Sequence, residues 1–548
     1  MRGRVFCGRD ETPLAVAPKA VVAHGWWRVI WGDPRGTDAA RRARKSRLKT
    51  EDIETMGRWF LRNLKRAVVL VAVIALTLLA ARIYNTVGGP PLEPWHTHVP
   101  HELTVKQFDR ASWADSMKAE GAIFDDVRSQ VSEKLAPDEQ VPFNRYFEGS
   151  PVYPGHFKQD WNRSYILQPD GVPVGAAVFL HGLTDSPYSL RHIAERYRER
   201  GFVSVVIRLP GHGTVPAGLT DVHWEDWMAA TRLAAREARR LAGPATPLHI
   251  IGFSNGGALA LMYALDAIED KSLARPDKLV LISPMVGVTR FARFAGLAGL
   301  PAIFPAFAKS AWLGIVPEFN PFKYNSFPVN GARQSYELTD VLQRRISTFA
   351  REGRLATLAP ILTFQSVIDF TVSTRAVITA LYDHLPANGS ELVLFDINRN
   401  AKLGPLLSAS TDTVLARILP PAERRFRTTV IANISPAAGE VEARTVEPGQ
   451  TVEQKRSLGL YYPTDVYSLS HVALPFPTSD GLYGTHPDPK DDFGINLGAI
   501  ALRGERGALI VSLDTLMRIS SNPFYPYLIE RIEGLMAPVS TPQTAPTP

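Results

Sequence analysis

The chain reads as an α/β protein: one mostly parallel sheet with helices on both faces, preceded by a single apolar membrane segment. Two observations carry the sheet. From Arg163 onward, short apolar runs alternate with amphipathic stretches, the rhythm of strands and helices succeeding one another. The runs are continuously apolar rather than alternating, as parallel strands buried on both faces must be. A third observation carries the membrane segment: the uncharged stretch Ala67 to Ala81 is flanked by Arg62, Lys65 and Arg66 before it and Arg82 after it.

The runs are AAVFL (176–180), FVSVVI (202–207), LHIIGF (248–253), KLVLIS (278–283), ILTFQS (361–366) and ELVLF (391–395). FRTTVIANI (426–434) is a further strand. Helical stretches over 190–200, 224–241, 256–268 and 373–385 separate most of them, and an earlier helix is expected over 112–135. Two intervals break the rhythm. Residues 285–358, rich in Phe, Pro and Gly, are expected to form a cap or lid over the strand ends, and 397–470 is an insertion. The core therefore divides into 161–284 and 359–536, behind a connector over 88–160 that includes the Pro/Gly-rich run Phe147–His156. Residues 537–548 are disordered in composition.

Composition is ordinary for a globular protein, 45% hydrophobic and 21% charged. The single cysteine, Cys7, excludes disulfides, cysteine-based zinc sites and a thiol nucleophile in the body. The net charge of +7 invites a nucleic-acid reading, but its distribution argues against one. Residues 1–66 hold 16 Lys/Arg against 7 Asp/Glu, a net of +9, so the other 482 residues carry 7 − 9 = −2. The basic character belongs to the segment before the membrane, and no nucleic-acid partner is expected.

Fifteen residues in a helix rise ~22 Å, short of a ~30 Å hydrocarbon core. If Arg82 snorkels, the segment reaches Val87 and is long enough. A cleaved signal peptide would also fit the charged start and apolar middle, but LLAARIYN offers no clean small-x-small cleavage site. Residues 61–87 are therefore read as a retained signal anchor contacting the membrane through 67–87. The basic residues then lie in the cytoplasm and the body on the extracytoplasmic (periplasmic) side. Residues 1–60 read as a basic, disordered segment, and Met56 opens a stretch that would itself serve as a start.

The decisive motif is Gly252-Phe253-Ser254-Asn255-Gly256, followed by Gly257, where LHIIGF meets a helical run. A strand-to-helix turn this sharp needs flanking positions without side chains, and it exposes the serine above the sheet beside a helix N-terminus. Ser254 is the candidate nucleophile. Upstream, His181-Gly182-Leu183-Thr184 ends a strand; Leu183 and Asn255 are the candidate backbone donors of an oxyanion hole. His181 precedes the nucleophile and reads as loop-shaping, and His212 in Pro210-Gly211-His212-Gly213 as bracing a turn.

A serine nucleophile needs a base, and the base an orienting acid. Asp369 in ILTFQSVIDFTVS lies just past a strand and is the candidate acid, with Asp396, at the end of the next strand, in reserve. His471 in YSLSHVALPF is the candidate base, with His486 in YGTHPD as its alternative. The cycle needs no cofactor and no metal.

These segments resemble the bacterial carboxylesterase, monoacylglycerol-lipase and lysophospholipase branch of the α/β hydrolases, which has serine-aminopeptidase-like relatives. The resemblance rests on FLHGLTDSPYSLRHIAERYRERGF (179–202), RLPGHGTVPAGLTDVHWEDW (208–227), IGFSNGG (251–257) and QSVIDFTV (365–372). It implies the α/β-hydrolase fold, triad roles for Ser254, Asp369 and His471, and oxyanion donors at Leu183 and Asn255. Asn255 departs from the Met or Gln frequent in that branch. The expected activity is hydrolysis of a small acyl ester or lipid through an acyl-serine. A peptidase, an acyltransferase and a non-catalytic anchored binding protein are the alternatives.

Overall fold

The computed structural model describes residues 59–77, 89–287, 305–402, 423–499 and 520–536, together with 80–81, 84, 414–419 and 518. The expected disordered segment, up to residue 58, and the tail over 537–548 lie outside the described residues. The chain divides into two units, Met1–Leu79 and Ala80–Pro548.

In the first unit, residues 59–77 are helical. Val68, Leu70, Val71 and Leu76 each leave more than half of their surface exposed. Among the described residues no helix is long and apolar enough to cross a membrane.

The second unit is organised by a ten-stranded sheet. Its strands in chain order are β1 (Tyr165–Leu167), β2 (Gly175–Leu180), β3 (Phe202–Ile207), β4 (Leu248–Phe253), β5 (Lys278–Ile282), β8 (Ile361–Ser366), β9 (Glu391–Phe395), β10 (Arg427–Asn433), β11 (Glu440–Val446) and β12 (Glu453–Tyr461). β6 (Trp312–Gly314) and β7 (Phe327–Pro328) form a separate small ribbon. The order is β1-β3-β2-β4-β5-β8-β9-β10-β11-β12. The seven strands from β3 to β10 run parallel, while β1 and the β11–β12 hairpin add antiparallel edges.

The alternation of side chains across each strand separates two cores. Ala176, Val178 and Leu180 of β2 face one hydrophobic layer, with Leu248 and Ile250 of β4. Ala177 and Phe179 face the other, with Ile251 and Phe253. The first layer is closed by α3 (Trp224–Ala242), α4 (Asn255–Glu269), α5 (Val329–Arg351) and α6 (Thr374–Ala380). The second is closed by α2 (Arg191–Glu199) and α7 (Tyr525–Glu533). Ahead of the sheet, α1 (Trp113–Gln130) starts on a reciprocal cap. Ser112 Oγ accepts from the Asp115 amide, and the Asp115 carboxylate accepts from the Ser112 amide.

All seven sequence-predicted strands are present, but the two long intervals hold more structure than their composition showed. The insertion over 397–470 extends the sheet: β10 pairs in parallel with β9, and the β11–β12 hairpin follows. In the interval expected as a cap, 288–304 lie outside the described residues. Its later half is the 23-residue helix α5, whose Leu338, Leu342 and Ile346 are buried in the core layer. The 88–160 connector is tied into the body by charge. Arg208, at the end of β3, takes bidentate hydrogen bonds from its guanidinium to Glu102 and one to Glu120 of α1.

A second buried ionic cluster fastens the C-terminal segment to α2. Asp480 is fully buried and accepts from Tyr188 Oη at 2.8 Å, Arg191 at 3.0 Å and the amides of Leu482 and Tyr483. Burial alone would raise its carboxyl, but Arg191, His192 and these donors hold it below the ordinary carboxylate range. Breaking such a pair strands a buried charge. Asp480→Ala is expected to lower unfolding stability by about 3–5 kcal/mol, read as an earlier urea midpoint by circular dichroism. An unchanged midpoint would contradict it.

Candidate active site

The strand β4 leads straight into α4, and the turn between them holds Ser254 at φ 55° and ψ −115°. A non-glycine residue at positive φ is strained, and such strain persists only where the surroundings enforce it. Here they do. A Cβ on Gly256 would stand 2.0 Å from the Leu180 carbonyl oxygen, and one on Gly252 would stand 2.3 Å from the Gly256 carbonyl oxygen. One on Gly257 would meet Pro284 at 2.7 Å. From the neighbouring strand, the Ile282 carbonyl accepts from the Ser254 amide, and the Ser254 carbonyl accepts from Met285 and Gly257. The three glycines are required by close approach, as the motif alone suggested.

His471 and Asp369, 102 residues apart, meet beside this turn. His471 Nδ1 lies 2.9 Å from Asp369 Oδ2, with both side chains almost wholly buried. The imidazole packs on Phe253, the residue before the serine, at 5.2 Å between ring centroids. Asp369 is itself oriented: Oδ1 accepts from the amides of Thr371 and Val372, each at 2.8 Å, and Oδ2 also accepts from Gln365 Nε2 at 2.9 Å. Engagement of Nδ1 leaves Nε2 as the nitrogen available to the cavity that His471 and Ser254 both line. Asp396 lies elsewhere, next to Arg399, and His486 is exposed with its ring against Thr485.

The loop after β2 presses against Ser254: a Cβ on Gly182 would lie 3.3 Å from Ser254 Cβ. Leu183 follows on this loop, and Asn255 contributes the first amide of α4. Neither amide has a backbone acceptor in a turn or loop among the described residues. Thr184 takes positive φ (61°) and is held there by the Tyr324 amide, which donates to its carbonyl. His181 stays out of the chemistry. Its Nε2 accepts from the Leu209 amide and its Nδ1 bonds the Gly182 carbonyl, so the ring joins the ends of β2 and β3. His212 braces the Pro210 turn, and burial lowers its pKa to about 4.

Residues 177–432 match the alpha/beta hydrolase family. A thermostable monoacylglycerol lipase from Bacillus sp. (strain H-257) is 32% identical over 92 residues, 17% of this chain and 35% of the relative. The chain thus aligns with about a third of that relative's length. Among solved structures, similarity extends to metagenome-derived lipolytic enzymes, at 21% identity over 47% of this chain and 97% of that one, TM-score 0.35. It also extends to a soluble variant of monoglyceride lipase from Saccharomyces cerevisiae, at 14% identity over 42% and 81%, TM-score 0.33.

Ser254 opens on a cavity of about 1170 Å³. Its walls come from the Gly182–Asp185 loop, the segment Ile315–Phe327, the Asp369–Ser373 loop and His471. Sequence reasoning missed two polar residues that bond Asp369 and Asn255. Gln365 reaches both Asp369 and Thr374 from within a buried strand; a lone amide inside ILTFQS was the available signal. Ser335 of α5 donates to the side-chain oxygen of Asn255 at 3.1 Å, which gives this buried polar side chain a partner.

Burial alone would raise the Asp369 carboxyl, but His471 and the amides of Val372 and Thr371 hold it below the ordinary range. A depressed carboxyl contributes stability above its unfolded value, ~3.9, and loses it as pH falls through the folded value. Wild type should therefore lose an increment of stability below about pH 4 that Asp369→Asn lacks. Denaturant titrations across that range check this, and parallel curves would contradict it. Gln365→Leu removes one bond to a charged acceptor, and should lower kcat about tenfold, the equivalent of ~1.4 kcal/mol.

Proposed function

We propose that the protein is a membrane-anchored carboxylic ester hydrolase working through an acyl-serine on Ser254. The observation that supports it most is the convergence on one cavity of a strained, glycine-enforced serine turn and a buried histidine–aspartate pair. In the proposed cycle, His471 Nε2 takes the Ser254 proton as Oγ attacks the ester carbonyl. Asp369 fixes the tautomer that leaves Nε2 as acceptor and stabilises the imidazolium that forms. The amides of Leu183 and Asn255 receive the oxyanion; losing one such donor typically costs ~3–4 kcal/mol in the transition state. His471 returns the proton to the leaving alcohol, and water, activated in the same way, releases the acid. Apolar walls from Ile315, Phe319 and Phe476 suit an acyl chain.

A fluorophosphonate probe should label wild type at Ser254 and leave Ser254→Ala unlabelled. Hydrolysis of p-nitrophenyl esters of rising chain length, beside aminoacyl amides, separates esterase from peptidase. Turnover of the amides alone would overturn the ester assignment. His471→Ala should abolish ester turnover, while near-full activity in His471→Ala with loss in His486→Ala would reassign the base.

The anchor rests on the apolar run Ala67–Ala81, of which residues 67–77 are helical with exposed side chains. Basic residues before it and a body of net −2 after it favour an extracytoplasmic body. Protease added to intact spheroplasts should digest the body, and protection there would contradict this orientation.

A further inference from the structure

The cavity of Ser254 carries charge that the proposed cycle does not use. Its charged lining residues are Asp185, Lys323, Asp369 and Arg518. Asp369 is committed to His471, Gln365 and two backbone amides. Arg518 donates to the Thr371 hydroxyl at 2.8 Å beside the acid loop, and no carboxylate pairs with it among the described residues. Lys323 is partly buried and forms no hydrogen bond or ion pair among the described residues; the carboxylate that acts on it is Asp185, at longer range.

The segment that carries Lys323 is held firmly in place. On one side, Phe322 is buried and stacks on Tyr188 at 4.2 Å between centroids. On the other, Tyr324 is buried, and its amide donates to Thr184 of the loop that carries Leu183. Asn320 and Glu318 bind the same segment through Tyr483 and the amides of Asn325 and Ser326. A rigid segment thus presents an ammonium beside the oxyanion loop. A desolvated charge without a close partner is costly, and the cost is relieved when a ligand supplies the opposite charge. Burial pushes the Lys323 ammonium below its usual range and Asp185 above its own, and the attraction between the two only partly offsets this.

We infer that Lys323 and Arg518 form an anion subsite beside Ser254, and that the preferred ester carries a phosphate or carboxylate group. This rests on the ester-hydrolase reading of the site and names its substrate class. The anion can stand on the alcohol side, as in a monoacylglycerol phosphate, or at the far end of the acyl chain, as in a dicarboxylic half-ester.

The test uses binding to Ser254→Ala, so that it does not depend on turnover. Titration calorimetry compares 1-hexanoylglycerol with its 3-phosphate, and p-nitrophenyl hexanoate with p-nitrophenyl hydrogen adipate. At least one anionic member should bind about tenfold more tightly than its neutral partner, and which pair shows the preference assigns the anion to the alcohol or acyl side. Adding Lys323→Met should remove the preference and Lys323→Arg should keep it. Should Lys323→Met misfold, Arg518→Gln should weaken the preference in its place. No preference in either pair, or a preference that survives Lys323→Met with Arg518→Gln, overturns the subsite. Turnover of the same esters by wild type tests the hydrolase reading separately, since a binding preference without hydrolysis would sink that reading alone.

Discussion

The turn at Ser254 depends on how closely a strand and a helix can approach when three glycines remove the side chains between them. With Gly252, Gly256 and Gly257 in place, the backbone of α4 can lie against the end of β2 and against Pro284. The serine is then forced to positive φ and its side chain is lifted off the sheet. The rest of the site is arranged around this contact. The loop after β2 closes on the serine through Gly182, the ring of Phe253 supports His471, and the end of β5 fixes the serine's own backbone. A methyl group at Gly256 would push the first turn of α4 away from the end of β2, a strand held on both sides within the central sheet.

Asp369 and His471 reach Ser254 by topology rather than by proximity in sequence. Parallel strands place their carboxyl ends on one edge, so the loops after β2, β4 and β8 gather there. Asp369 follows β8 directly. His471 arrives only after the chain has built β10 and the β11–β12 hairpin, which widen the sheet without entering the site. The 102 residues between acid and base are thus taken up by an extension of the sheet's far edge. The Asp480 cluster then ties the segment after His471 to α2.

Much of this was legible from the residues, for physical reasons. The central strands announce themselves because burial on both faces demands unbroken apolar runs, as in AAVFL and LHIIGF. The glycine pattern around Ser254 is legible because steric exclusion leaves no other residue. Asp369 and His471 were readable from their places after strands and turns. What escaped had weaker signals. β12 is exposed along most of its length and reads EQKRSLGLY, charged as an unpaired edge needs to be but without a hydrophobic pattern. α5 was hidden in an interval whose Phe- and Pro-rich opening suggested a cap, although its own Leu338, Leu342 and Ile346 keep helical spacing. Gln365, Ser335 and Lys323 owe their importance to contacts across the fold, which no local pattern encodes.

The central claim is that Ser254 becomes the covalent carrier of the acyl group. Rapid acid quench of wild type with p-nitrophenyl hexanoate, followed by peptide mass spectrometry, tests it most directly. A hexanoyl adduct is expected on the peptide containing Ser254, formed in a burst with p-nitrophenol release and absent in Ser254→Ala. Steady hydrolysis with the adduct on another residue, or with Ser254→Ala as active as wild type, would contradict it.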